Sequence, residues 1–253
     1  MDLFVNDEGE PTGEGLLGKP EFFISHWWGY KAVDLLTMVL AHDSDRTAAG
    51  EPHAAYFLDM FVLNQHQMTK DCTTDEEKRA QLVDSLRFSL RACGTLLLCC
   101  TSGPSGDAGW ERPAPIERVW CLFEVYVAIT EDVKVTVRLA PKDADEFRQA
   151  LNNGGMERLT RALHALDASN AGASVESDKQ MILGDIDSTV GLGEFNQRVR
   201  QSMLAQFKQV ATEYFAWSAY LGGDLGMEDP HSGPELPCED EPRSDARYLN
   251  DIS

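Results

Sequence analysis

Four short apolar runs, each separated from the next by a helix-length segment, constrain this chain more than any other feature. They are Phe22–Ile24, Tyr56–Val62, Thr95–Cys100 and Val133–Val137. Between the first two, Val33, Leu36, Val39 and Leu40 recur at helical spacing within Lys31–His42, with a polar loop expected from Ala41 to His53. Thr74-Asp75-Glu76-Glu77 has the form of a capping box, and Leu82, Leu86 and Leu90 share one face of the helix behind it. A Gly/Pro-rich loop, Ser102–Pro115, leads into a helix that carries Glu124, and the fourth run follows. Alternating strands and helices predict an α/β domain, a parallel sheet flanked by helices and wound by right-handed crossovers.

No convincing strand follows in Asp143–Tyr220. Asp143-Ala144-Asp145-Glu146 is suited to cap one helix. An apolar stripe through Met181, Ile182, Ile186, Phe195, Val199, Met203 and Phe207 is interrupted at Gly191-Leu192-Gly193. Glycine costs about 1 kcal/mol inside a helix, so two helices with a break there are expected. The organisation read from the sequence is a disordered segment 1–19, an α/β domain 20–141, a helical extension 142–221 and a disordered acidic tail 222–253. That tail carries nine Asp/Glu against Arg243 and Arg247, together with Pro230, Pro234, Pro237 and Pro242.

The formal net charge of -20 speaks against nucleic acid and anionic membrane as partners, because both demand a positive face. No apolar run approaches the ~18 residues of a membrane span, and the N-terminus lacks the basic start and apolar stretch of a signal peptide. The six cysteines show no Cys-x-x-Cys spacing, and Cys99 and Cys100 should point to opposite faces of one strand. A reducing, cytoplasmic setting is the simplest expectation. Gly-x-Gly-x-x-Gly, Walker-type and Gly-x-Ser-x-Gly motifs are absent, and His42, His53 and His66 have no metal-ligand spacing.

In a parallel α/β sheet, ligands bind where loops leave the carboxyl ends of the strands. Three loops carry unusual chemistry there: Ser25-His26-Trp27-Trp28-Gly29, the segment from Asp59 to Asn64-Gln65-His66, and Ser102–Pro115. Glu124 falls within the first two turns of the following helix. Periodicity leaves its orientation open. Glu117, Cys121, Glu124, Ala128 and Glu131 share a stripe that could simply face water, with Val119, Trp120, Phe123 and Val127 packed inward. His26 reads as a structural residue or a site residue, the tryptophans as plugs of the sheet edge or a stacking platform, and Asp59 as a loop cap or a ligand contact.

Phe22-Phe23-Ile24-Ser25-His26, Tyr56-Phe57-Leu58-Asp59, Leu96-Leu97-Leu98-Cys99 and, most specifically, Trp120-Cys121-Leu122-Phe123-Glu124-Val125 resemble the Toll/interleukin-1 receptor (TIR) superfamily, and more closely TIR-like proteins of single-celled eukaryotes. The last string is similar to the Trp-Cys-Leu-x-Glu-Leu of plant TIR domains, and the resemblance spans Glu21–Pro141. It implies a flavodoxin-like central parallel sheet. It further implies cleavage of NAD at the nicotinamide–ribose bond in signalling or defence, with Glu124 catalytic. NAD is then a substrate and no cofactor is needed. Ser25, His26, Trp27, Trp28, Asp59, Asn64 and Trp120 are the expected substrate-binding residues. The expected partners are NAD or a related nucleotide and a second copy or other TIR-like domains. A non-catalytic self-assembling module, and a nucleoside hydrolase or ribosyltransferase of similar fold, are the alternative readings.

Overall fold

The fold was analysed in a computed structural model, which describes residues 18–59, 74–103 and 106–222. Residues 1–17 and 223–253, which make up nearly all of the two expected disordered ends, and Asn64 lie outside the described residues. Strands β1 (Phe22–Ser25), β2 (Tyr56–Phe57), β3 (Thr95–Cys100) and β4 (Lys134–Leu139) form one all-parallel sheet in the order β2-β1-β3-β4. Helices α1 (Ala32–Ala48), α2 (Asp75–Cys93) and α3 (Val119–Thr130) connect them, and α4 (Pro141–Leu151), α5 (Gly155–His164), α6 (Glu176–Thr189) and α7 (Leu192–Gly222) follow. This is a flavodoxin-like α/β fold with a C-terminal helical extension. The strand order reverses direction between β1 and β3, which is where such sheets open a crevice at their carboxyl edge.

The register follows from burial on two faces. Phe23, Leu96, Leu98, Cys100, Val135 and Val137 point into the larger core, whereas Ile24, Leu97 and Cys99 meet Leu35 and Met38 of α1 on the other side. Cys99 and Cys100 do face opposite ways, and the four cysteines among the described residues are free and buried. The extension joins the larger core: Phe147 packs on Trp110 and Phe207, and Phe195 on Tyr126. Residues through Tyr214 form one compact unit. A second begins at Phe215, and only the end of α7 is described in it.

Three local expectations are corrected. The polar stretch after Ala41 is not a loop, because α1 continues to Ala48. Its charged side chains are held from outside the helix: Arg46 pairs with Glu21 and Glu51, and Asp45 with Arg138. Gly50, at φ +84°, then ends the helix as the amide of Glu51 reaches back to the Arg46 carbonyl. The second strand is shorter than Tyr56–Val62: pairing with β1 stops at Phe57, and 60–62 lie outside the described residues. Asp143 does not cap α4. It is buried and accepts hydrogen bonds from Thr101 Oγ1 (2.5 Å) and the Gly109 amide (2.7 Å), tying the extension to the loop after β3. The Thr74–Glu77 capping box is present in both directions, at 3.1 and 3.0 Å, and α2 ends at Gly94 with φ +77°.

Candidate functional site

A cavity of about 410 Å³ opens at the carboxyl end of β1, between α2 and α3. That volume lies within the range of small-molecule sites. β1 ends at Ser25, and the chain then turns through His26-Trp27-Trp28-Gly29. The turn needs glycine at its end, because a Cβ at position 29 would lie 2.2 Å from the Trp27 indole. Trp27 in turn meets Tyr30 edge to face at 5.6 Å. The Tyr30 hydroxyl accepts from the Thr101 amide at 3.1 Å, which links the loop after β1 to the end of β3.

Glu124 lines this cavity from the second turn of α3. The solvent-facing reading of its helix stripe fails: Cys121 and Ala128 are buried, as are Val119, Phe123 and Val127, so α3 is buried nearly all round. Glu124 itself is half-buried. The Ser25 hydroxyl donates to its Oε2 at 2.5 Å across 99 residues of chain. Burial raises the carboxyl from 4.5 to about 8; the Ser25 hydrogen bond opposes this and the charge of Asp59 adds to it. Burial therefore favours the neutral acid at this position.

The remaining sequence candidates fall into three groups. His26, Trp27, Trp28, Asp59 and Trp120 all line the cavity with Glu124. Ser25 does not: it is fully buried behind Glu124 and donates to that carboxyl. Asn64 lies outside the described residues. Burial lowers the His26 pKa, with Asp59 and a hydrogen bond to the Ile24 carbonyl pulling the other way. Its Nε2 is buried with no hydrogen-bond partner among the described residues. The His26 carbonyl accepts from the Cys121 thiol at 3.2 Å, which docks the loop on α3. Trp28 is exposed, and its indole N–H donates to Asp59 at 3.3 Å. Trp120 donates to Asp178 at the same distance.

Several wall residues had no signal in the sequence. Leu82, Ser85, Leu86 and Ser89 come from α2, while Ser174, Val175 and Asp178 come from the start of α6 and the loop before it. That loop is held to α3 by Gly172, whose amide donates to the Glu117 carbonyl at 2.7 Å and whose carbonyl accepts from Val119 at 3.1 Å. The extension is thus part of the cavity wall. Arg118 also lines the cavity; its place two residues before the Trp120–Glu124 string was the one available hint. Among the described residues no group of three or more His, Cys, Asp or Glu could hold a metal ion, and no helix is long and apolar enough to cross a membrane. Comparison of the chain with protein-family models, curated proteins and solved structures gave no match.

Proposed function

We propose that this cavity binds NAD or a related nucleotide, and that the protein is a TIR-like NAD glycohydrolase with Glu124 as its catalytic residue. The observation that carries the reading is one carboxyl, raised to about 8 by burial, set in a cavity with aromatic and histidine walls. In the reaction the bond from ribose C1′ to the ring nitrogen breaks, and its electron pair neutralises the pyridinium. Positive charge passes to the ribose, where a preorganised carboxylate stabilises it. Water then adds to C1′ and releases a proton, giving nicotinamide and ADP-ribose. The cationic ring draws Glu124 into its ionised form on binding, so the group carries charge only when the substrate needs it. Trp27 and Trp120 offer flat faces against which a ring can stack, and His26 Nε2 offers an unmatched polar atom nearby. The suggested setting is cytoplasmic signalling or defence.

A second reading is favoured by a different observation. Val33, Leu36 and Leu40 form an exposed apolar stripe on α1, at steps of three and four. On this reading the protein is a non-catalytic module that works by self-association. The test is nicotinamide release from NAD by the purified full chain, at low and high protein concentration and with a crowding agent, beside Glu124→Gln. Release by the wild type and none by the variant supports the glycohydrolase. No release at any concentration, with concentration-dependent assembly, supports the module instead.

A further inference from the structure

The walls of the cavity are unevenly charged. Glu124 and Asp59 lie beside His26 at the end of β1, and Asp178 stands on the α6 side. Arg118 is the only lysine or arginine lining the cavity among the described residues. It is the N-cap of α3, in extended backbone, six residues before Glu124. Its backbone is fixed on both sides by the Gly172 pairing, and one guanidinium N–H donates to Ser174 Oγ at 2.9 Å. No carboxylate ion-pairs with that guanidinium among the described residues. By contrast, Arg46, Arg87, Arg112 and Arg138 each hold a carboxylate. A fixed guanidinium left without an acid inside a cavity is suited to an anion, and its fork matches two oxygens of one phosphate.

We propose that Arg118 is the anion anchor of this cavity and binds the diphosphate of a dinucleotide, so that the site takes dinucleotides in preference to the corresponding nucleosides. This deepens the glycohydrolase reading and rests on it for the position of the cationic ring. The fit is one of charge order. A nicotinamide dinucleotide carries a cation at one end of a ribose and an anion at the other. The cavity carries Glu124 and Asp59 by the end of β1 and a guanidinium at the start of α3, with Asp178 as a third carboxyl in the wall. On a protein of formal net charge -20, an anionic ligand is repelled at long range, and Asp178 adds to that repulsion close by. Selection for a phosphate therefore depends on Arg118, the one cation in the wall among the described residues.

The experiment has two readouts on the full-length chain. Calorimetry measures binding of ADP-ribose, which has the diphosphate but no cationic ring, to wild type, Arg118→Gln and Arg118→Lys. Turnover is measured on NAD and on nicotinamide riboside, which has the ring and ribose but no phosphate. We expect Arg118→Gln to weaken ADP-ribose binding at least tenfold and to lower the ratio of kcat/KM for NAD over riboside by at least tenfold, through KM. Arg118→Lys should recover part of both, since it keeps the charge and loses the fork. Unchanged ADP-ribose affinity in Arg118→Gln, an equal loss on both substrates, or no ADP-ribose binding by the wild type would each overturn the proposal. If the wild type turns over neither substrate yet binds ADP-ribose through Arg118, the anion anchor stands and the glycohydrolase reading fails. Should Arg118→Gln unfold, Arg118→Lys with the wild-type melting temperature supplies the same comparison: an unaltered NAD-to-riboside ratio and ADP-ribose affinity would then overturn the proposal.

Discussion

Replacing Glu124 by Gln should stabilise the protein, and increasingly so as the pH rises. Gln has the shape of the protonated acid and its amide oxygen can still accept from Ser25, but it never ionises. The carboxyl titrates near 4.5 when exposed and at about 8 in the folded chain. Between those values the folded state holds a proton that the unfolded state has lost. Wild-type stability therefore falls as pH climbs through this window and levels off above the folded value. At 1.36 kcal/mol per pH unit, the whole interval sets a ceiling of about 5 kcal/mol, of which about 4 kcal/mol falls between pH 5 and pH 9. Water at the cavity mouth lowers that ceiling, because Glu124 is only half-buried. Even half of it, about 2 kcal/mol, moves the melting temperature of a chain this size by about 4–8 °C. The assay is differential scanning calorimetry of both proteins from pH 5 to pH 9, read as the difference in Tm, which cancels the groups they share. The difference should widen toward pH 9 in favour of the variant. A constant difference, or one that favours the wild type at high pH as a carboxylate paired with a cation would, refutes the buried-acid account.

Three further outcomes are expected. Ser25→Ala removes the hydrogen bond that holds the Glu124 carboxyl down, so the midpoint of the kcat/KM–pH profile for NAD should move to higher pH; a downward or absent shift contradicts the Ser25–Glu124 geometry. Gly29→Ala places a methyl 2.2 Å from the Trp27 indole and should cost about 1–3 kcal/mol in urea unfolding, with Trp27 fluorescence altered in the native state. Asp143→Ala strands the buried Gly109 amide and the Thr101 hydroxyl, and should cost about 2–4 kcal/mol by the same measurement, whereas a loss below about 0.5 kcal/mol would show that the contact is dispensable.

The layout of the sheet was legible in the sequence because its signals are local. A strand buried on both faces reads as an unbroken apolar run, as Thr95–Cys100 does, and a capping box is complete within four residues. The helix break at Gly191 is equally local, and the residue does sit at φ +78° between α6 and α7. Where polarity and burial part company, the sequence misleads. Asp43, Asp45 and Arg46 look like a loop, yet they extend α1 because their partners lie 5 to 93 residues away in the chain.

Orientation around α3 belongs to the same category. Its periodicity allowed Glu124 to face water or the interior, because a helix buried nearly all round has no polar side to mark. Packing against the sheet, α6 and α7 decided the matter. The sequence by itself determined which residue types reach the carboxyl edge of β1: a serine, a histidine, two tryptophans and, from α3, one glutamate. Only the tertiary structure decided that Ser25 stands behind Glu124 rather than in the cavity, that Arg118 faces the same space, and that Ser174 and Asp178 close it from the helical extension. Those relations join residues about 50 to 100 positions apart, and such distances are set by how helices pack on a sheet, a quantity that no short stretch of sequence carries.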